Sequence, residues 1–165
     1  MIKNLLATLC LIFLVSCNCQ RTADKGNSRA DKQISSDKIK VFLREKNFDI
    51  VTSANLVVVF DIKKKLIEGT TDEYSNKLVL KDTLANEKAN ELLALLVDDS
   101  SYDWTEKEVK EDFNPGLQFL VRNDTERIFL LVDKKNRRLG FINLEGQKIV
   151  ELSKNLTDYF DQLQQ

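Results

Sequence analysis

Four short apolar segments separated by turn-forming residues constrain the fold more than any other feature of this chain. They span residues 117–122, 127–133, 138–143 and 148–152, and an Asn-Pro-Gly turn at 114–116 precedes them. The first segment is apolar at every second position, which is the pattern of a strand with one buried face. Short strands joined by tight turns pair with their neighbours in the sequence. The sequence therefore predicts an antiparallel β-meander.

Three segments have the residue spacing of amphipathic helices. Residues 37–46 favour a helix capped by Ser36 or Asp37, although a strand is the alternative there. Residues 83–97 give the clearest helix, and a last helix follows Ser153. The apolar stripes of these two helices consist of Ala85, Ala89, Leu92, Leu93 and Leu96, and of Leu152, Leu156, Tyr159, Phe160 and Leu163.

The remaining segments complete an α+β prediction. Residues 55–62 form a continuous β-branched run, which predicts a buried strand, and residues 77–81 alternate as a short strand would. Residues 63–76 are charged and polar and predict a long loop, whereas residues 102–113 favour no element. We expect one α+β domain over residues 37–165, with an antiparallel β-meander of about four to six strands and two to three helices packed on one face.

The N-terminal residues have the layout of an export signal. A lysine lies near the start, the run from Leu5 to Val15 is apolar except for Thr8, and the small residue Ser16 follows. This run is too short to cross a bilayer as a helix, which takes roughly 20 residues. Residues 1–16 therefore predict a signal peptide.

All three cysteines lie near this signal, at Cys10, Cys17 and Cys19. The segment Leu-Val-Ser-Cys at 14–17 resembles the lipobox of bacterial lipoproteins. The resemblance implies that the Cys17 thiol receives a diacylglycerol, that the chain is cut before Cys17, and that the new amino group is acylated. Cys10 would leave with the signal peptide. An ordinary secretory signal with an incidental cysteine is the alternative.

Lipid on Cys17 would make a membrane the first partner of the chain. Each buried methylene contributes about 0.8 kcal/mol, so two or more acyl chains hold firmly. By analogy with lipoproteins of two-membrane bacteria, Asn18 favours the outer membrane, because an acidic residue there signals inner-membrane retention. The polar residues up to 36 predict that the anchored segment 17–36 is a flexible tether. Cys19 is interpreted as a tolerated free thiol, with pairing to another molecule as the alternative.

The composition argues against several kinds of chemistry. The chain has no histidine, and its predicted body has no cysteine. Imidazole-based or thiolate catalysis and the usual zinc sites therefore lack their residues. The 25 lysines and arginines nearly balance the 26 acidic residues, which argues against nucleic acid, because phosphates require a basic surface. We expect no catalytic residue, no cofactor and no metal.

An acidic stretch at 98–112 is the remaining candidate for chemistry. Its carboxylates belong to Asp98, Asp99, Asp103, Glu106, Glu108, Glu111 and Asp112. A calcium loop starting at Asp99 fails, because Trp104 and Lys110 occupy the glycine and glutamate positions, so a solvated loop is expected. Tyr102 and Trp104 are possible interaction residues that could stack on a sugar or a partner. The alternative is that they close the rim of the core.

Two further observations complete the functional expectation. A basic turn, Lys134-Lys135 with Arg137-Arg138, could contact anionic lipid or a partner. The order of elements, with "DDSSYDW" ending a leucine-rich helix and an "FNP" turn before the meander, resembles small bacterial lipoproteins of unknown function and implies only a fold. We expect a lipid-anchored cell-envelope protein that is a binding module of the inhibitor, immunity or accessory type, with an envelope protein as partner. A small envelope hydrolase or glycan-binding protein using the carboxylates of 98–112 is the alternative.

Overall fold

A computed structural model describes residues 36–105 and 112–163 of this protein. The predicted signal peptide, the lipid site Cys17 and most of the predicted tether lie outside the described residues. The elements in chain order are α1 (Asp37–Leu43), α2 (Glu45–Thr52), β1 (Leu56–Leu66), β2 (Tyr74–Thr83), α3 (Asn86–Leu96), a 3-10 turn (Asp99–Ser101), β3 (Tyr102–Asp103), β4 (Leu117–Arg122), β5 (Arg127–Asp133), β6 (Arg138–Asn143), β7 (Gly146–Leu152) and α4 (Lys154–Gln162).

The strands form one antiparallel sheet in the order β2-β1-β4-β5-β6-β7-β3. The predicted meander is confirmed as β4 to β7, each strand pairing with the next one along the chain. The α+β class is also confirmed, and the described residues contain seven strands and four α-helices, one more of each than the upper expectation. The additional strand is the two-residue β3, which pairs with the outer edge of β7.

The helices cover one face of the sheet, which we call the inner face. Its buried side chains are Val57, Val59, Leu117, Phe119, Val121, Ile128, Leu130, Val132, Leu139, Phe141, Val150 and Leu152. The ring of Phe160 on α4 lies 5.4 Å from that of Phe119. The hydroxyl of Tyr159 donates to the Lys88 carbonyl oxygen of α3 at 2.7 Å, which joins the two helices. No helix within residues 36–105 and 112–163 is long and apolar enough to cross a membrane.

The predicted helix over residues 37–46 is two helices. The backbone of Arg44 has φ 67°, which ends α1 and starts α2 in a new direction. The side chain of Ser36 makes no capping hydrogen bond. The Asp99 carboxylate caps α1 instead, accepting from the backbone N–H groups of Lys38 at 3.1 Å and Ile39 at 2.8 Å.

The long loop predicted over residues 63–76 is wrong. β1 continues to Leu66 and β2 begins at Tyr74, so the loop is limited to residues 67–73 and the residues on either side of it are strand. The two strands pair in register, with Lys63 opposite Lys77 and a bulge between Val59 and Phe60. Backbone pairing between strands overrides the polar composition, because lysine side chains can extend into water on either side of a two-stranded hairpin.

Candidate functional site

The two aromatic residues singled out by the sequence lie at the edge of the core. Tyr102 is 5% exposed, and its hydroxyl donates to the Leu96 carbonyl oxygen at 2.6 Å. Burial, followed by the charges of Asp98 and Asp99, raises the pKa of Tyr102 well above its ordinary value. The half-buried ring of Trp104 lies 5.4 Å from that of Tyr102. This placement matches the alternative, in which the pair closes the rim of the core, and a partner contact stays a prediction.

The first carboxylates of the acidic stretch bind backbone amides. The Asp98 carboxylate accepts from the N–H of Ser100 at 2.9 Å, within the 3-10 turn. The Asp99 carboxylate caps α1, whose first amides have no partner inside the helix. Both acids therefore have a structural use that the sequence analysis did not identify. Asp98 caps the local 3-10 turn, whereas the helix that Asp99 caps lies about sixty residues away.

The rest of the acidic stretch is less defined. Glu106, Glu108 and Glu111 lie outside the described residues. Among the described residues, no three aspartate, glutamate, cysteine or histidine side chains come together as metal ligands would. A metal-free, non-catalytic acidic stretch therefore stays a prediction.

The basic turn between β5 and β6 is largely used within the fold. The Lys134 ammonium lies 2.6 Å from the Asp161 carboxylate of α4. The Arg137 guanidinium donates to a β7 carbonyl oxygen at 2.9 Å. Arg138 is 3% exposed and donates to the carbonyl oxygen of Asp112 at 2.8 Å. Three of the four cationic side chains thus have partners in the protein, while Arg137, whose partner is a neutral carbonyl oxygen, and Lys135 keep exposed charge.

The face of the sheet opposite the helices, which we call the outer face, is also apolar. It consists of Val58, Phe60, Ile62, Leu78, Leu80, Leu120, Phe129, Leu131, Ile142 and Ile149, all half-buried or exposed. Antiparallel sheets with one solvated face usually alternate apolar and polar residues, so the solvated face is polar. Here the outer face breaks that rule across six strands, although none of the helices in the described ranges covers it.

Strand register arranges the outer face into continuous rows. One row crosses six strands through Leu80, Phe60, Gln118, Leu131, Gly140 and Ile149. At Gly140 the connection before β4 lies against the sheet, and a Cβ atom there would be 3.0 Å from Cζ of Phe113 and 3.0 Å from Nε2 of Gln147. The ring of Phe113 is therefore a local cover on the outer face.

The β1–β2 hairpin extends beyond the rest of the sheet, and we call its projecting part, residues 62–78, the arm. Pairing of β1 with β4 stops at Asp61, so only β2 accompanies β1 from that point. Apolar side chains on the arm and its base are unusually open, with Tyr74 59% and Leu80 64% exposed. β2 is ten residues long and is an edge strand, since no strand in the described residues pairs with its second side. Such an edge can accept a strand from another chain.

The sequence contains the signal for the arm, but in a diluted form. "SNKLVLKD" at 75–82 alternates, and only its centre was interpreted as a strand. The lysine run at 63–65 and the turn around Gly69, which has φ 86°, were interpreted as one loop. Pairing between the two halves, which local composition cannot report, is what turns them into strands.

A cleft lies at the end of the sheet away from the arm. Its volume is about 730 Å³, and α2 and the two turns β4–β5 and β6–β7 form its walls. The Lys46 ammonium is 2.7 Å from the Glu126 carboxylate in the wall, and the hydrogen bond and charge of Glu126 raise the pKa of Lys46. The sequence analysis did not predict this cleft, because its residues come from three separate segments.

No protein-family model matches this chain, and comparison with curated proteins and with solved structures found no match.

Proposed function

We propose that this protein is a lipid-anchored cell-envelope protein that binds a protein partner through its outer face and its arm. The observation that carries the proposal is the outer face, an apolar surface over six strands that the four helices leave open. Contiguous exposed apolar patches on soluble domains mark interaction sites, because water contact with them is unfavourable. The anchor comes from the resemblance at Cys17, and the outer membrane is the preferred location where a cell has two membranes.

The size and chemistry of the surface favour a protein rather than a small molecule. The outer face is spread over a sheet and continues onto the arm through Leu78 and Tyr74. Burying such side chains contributes about 25 cal/mol for each Å² removed from water. The open edge of β2 adds backbone N–H and C=O groups that a partner strand can pair with. An inhibitor, an immunity protein or an accessory subunit uses a surface of this kind.

The charges on the arm indicate what the partner presents. Lys63 and Lys77 are direct neighbours across the arm, and like charges in that arrangement are unfavourable. The Asp61 carboxylate lies 4.0 Å from the Lys63 ammonium, whereas the Lys77 ammonium has no carboxylate partner among the described residues. An acidic side chain on a strand beside β2 would supply the missing charge. We therefore infer a partner segment that alternates apolar and acidic residues.

The alternative, a hydrolase or glycan-binding protein using residues 98–112, has less support. The carboxylates of Asp98 and Asp99 accept hydrogen bonds from backbone amides. Tyr102, which lies beside them, is buried in the core. An acid–base pair for glycoside hydrolysis needs two carboxyl groups that face a substrate cleft. In the described part of this stretch Asp98 and Asp99 face the protein, and the Asp103 carboxylate accepts from the backbone N–H of Thr105.

The test is site-specific photo-cross-linking in living cells. A photo-reactive amino acid replaces Leu80 or Leu131 on the outer face, and the matched control replaces Asn90, which is exposed on α3. We expect one dominant protein adduct from both outer-face positions and none from Asn90, with the partner identified by mass spectrometry. Adducts of equal yield at Asn90, or none at either outer-face position, would contradict the proposal.

Two variants separate the surface from the anchor in the same experiment. Leu78→Ser with Leu80→Ser removes exposed apolar area from β2, so we expect the Leu131 adduct to weaken while the protein stays folded and membrane-bound. Cys17→Ala removes the lipid acceptor, so we expect unprocessed precursor. A mature-length Cys17→Ala chain that still fractionates with membranes would disprove the lipid anchor and leave the binding surface untouched.

A further inference from the structure

The cleft at the end of the sheet has the features of a second binding site, which lies away from the arm and shares Phe129 and Ile142 with the outer face. Its volume of about 730 Å³ is in the range of small-molecule sites. Phe129 and Ile142 supply apolar wall from neighbouring strands, and Leu144 stands fully exposed at the β6–β7 turn. The cleft is therefore large enough for an organic molecule with both apolar and charged parts.

The acidic side chains in the walls already have partners. The Glu126 carboxylate lies 2.7 Å from the Lys46 ammonium, and the Glu145 carboxylate lies 3.6 Å from the Arg44 guanidinium. The Asp124 carboxylate accepts a hydrogen bond from an asparagine between α2 and β1 at 2.6 Å. The charges of Glu126 and Glu145 are thus offset by cations of the protein, whereas Asp124 is hydrogen-bonded but keeps its charge.

The charges of two arginines in the cleft are not offset by carboxylates of the described residues. Arg122 ends β4 and Arg127 begins β5, and the two are direct partners across the strands. Within residues 36–105 and 112–163, neither forms an ion pair with a carboxylate. The Arg127 guanidinium lies 5.7 Å from the centre of the Phe129 ring, which holds it beside the apolar wall. Like charges directly opposite each other are unfavourable, so an anion between them would relieve the repulsion.

We propose that the cleft binds a phosphate monoester, with Arg122 and Arg127 on the phosphate and the organic part against Phe129 and Ile142. A phosphate monoester carries a charge of about −1.5 to −2 at pH 7, which matches two guanidinium groups, whereas a carboxylate matches one. Guanidinium groups also bind phosphate oxygens with two parallel hydrogen bonds. The ester belongs either to a lipid headgroup or to a soluble metabolite, and both present the same group to the arginines.

The experiment measures binding to the full-length protein in neutral detergent. The probes are glycerol 3-phosphate, glycerol as the uncharged control, and water-soluble dihexanoyl phosphatidic acid, each titrated by calorimetry. We expect saturable binding of a phosphate monoester and none of glycerol. Binding that is at least tenfold tighter for the phosphatidic acid assigns a lipid headgroup, and the reverse order assigns a soluble ligand.

Variants show whether the arginines form the site. The double variant Arg122→Gln with Arg127→Gln should bind the phosphate monoester at least tenfold more weakly. Lys135 is an exposed cation at the other end of the sheet, so Lys135→Gln should leave the affinity unchanged. Without ligand, we expect the double variant to unfold at a higher temperature than wild type, because the repulsion is gone. With saturating ligand the order should reverse, which a variant that merely misfolds cannot produce.

Three results would overturn this proposal. One is that Lys135→Gln weakens phosphate binding as much as the double arginine variant does. Another is that inorganic sulfate binds as tightly as the phosphate monoesters. Either result would identify an adventitious ion only. The third is that neither glycerol 3-phosphate nor dihexanoyl phosphatidic acid binds. None of these results bears on the photo-cross-linking at Leu80 and Leu131, which do not line the cleft, so the two proposals fail separately.

Discussion

The two faces of the sheet carry similar apolar side chains, but helices cover only one of them. Leu130 and Leu131 are consecutive residues of β5, and the first is completely buried while the second is partly exposed. Packing a helix layer on one face of a sheet is sufficient to build a core. The apolar character of the outer face is therefore not explained by the core, which makes that face the better place to look for function.

The faces also differ in how their side chains are held. On the inner face, rings from separate elements interlock, as Phe119 does with Phe160 at 5.4 Å. On the outer face, the described residues show the ring of Phe113 resting on Gly140 from a neighbouring connection rather than a packed layer of helices. Side chains without a second layer lose few contacts when they are shortened, so the comparison can be measured as stability.

Truncating consecutive leucines should give the largest difference between the faces. Leu130→Ala leaves a cavity in a closed core, so we expect a loss of about 2–5 kcal/mol in the free energy of unfolding. Leu131→Ala removes contacts on one side only, so we expect a loss of about 1 kcal/mol or less. Urea unfolding measures both. Equal losses would show that another layer covers the outer face.

Gly140 tests a place where the outer face is closely covered. Gly140→Ala puts a methyl group 3.0 Å from Phe113 and Gln147, so the neighbours must shift, at a cost of about 1–3 kcal/mol. Gly116→Ala is the matched control, because a Cβ there meets nothing within 4 Å. Thermal unfolding of the two variants compares them. A Gly140→Ala protein as stable as Gly116→Ala would mean that Phe113 does not rest on this strand.

The part of the fold that follows from local pattern was predictable from the sequence. β4 to β6 occupy the residues predicted for them, because alternation and turn residues specify strands without reference to distant parts of the chain. The break at Arg44 was not predictable, since the Asp99 carboxylate that caps α1 comes from a distant segment. The arm was missed because its strands exist through their pairing with each other.

The candidate sites were harder to predict than the fold. The uninterrupted apolar run of β5, from Ile128 to Val132, shows that both faces are apolar, but no local pattern says which face the helices cover. The facing of Arg122 and Arg127 depends on the length of one turn, which sets their register. Tyr102 and Trp104 were identified by composition, and burial of the first became evident only from its place beside Leu96.

Substitution of Tyr102 should give the smallest change in the free energy of unfolding. The pH dependence of that change tests whether water is excluded from the Tyr102 hydroxyl. Tyr102→Phe removes a buried hydrogen bond to the Leu96 carbonyl oxygen, for which we expect a loss of about 1 kcal/mol at neutral pH. Tyr74→Phe is the control, since that ring is 59% exposed on the arm. Urea unfolding at pH 7 measures both.

The same variant should then become relatively more stable in alkali. Burial raises the pKa of Tyr102 in the folded protein above the unfolded value of about 10, so the neutral hydroxyl favours folding. That contribution is complete below pH 10 and is lost as the pH rises through the folded pKa. The pKa of Tyr159 is likewise raised, to about 12, by burial first and Glu91 second. Wild type should therefore lose more stability than Tyr102→Phe above pH 10, and parallel curves would mean that water reaches the Tyr102 hydroxyl.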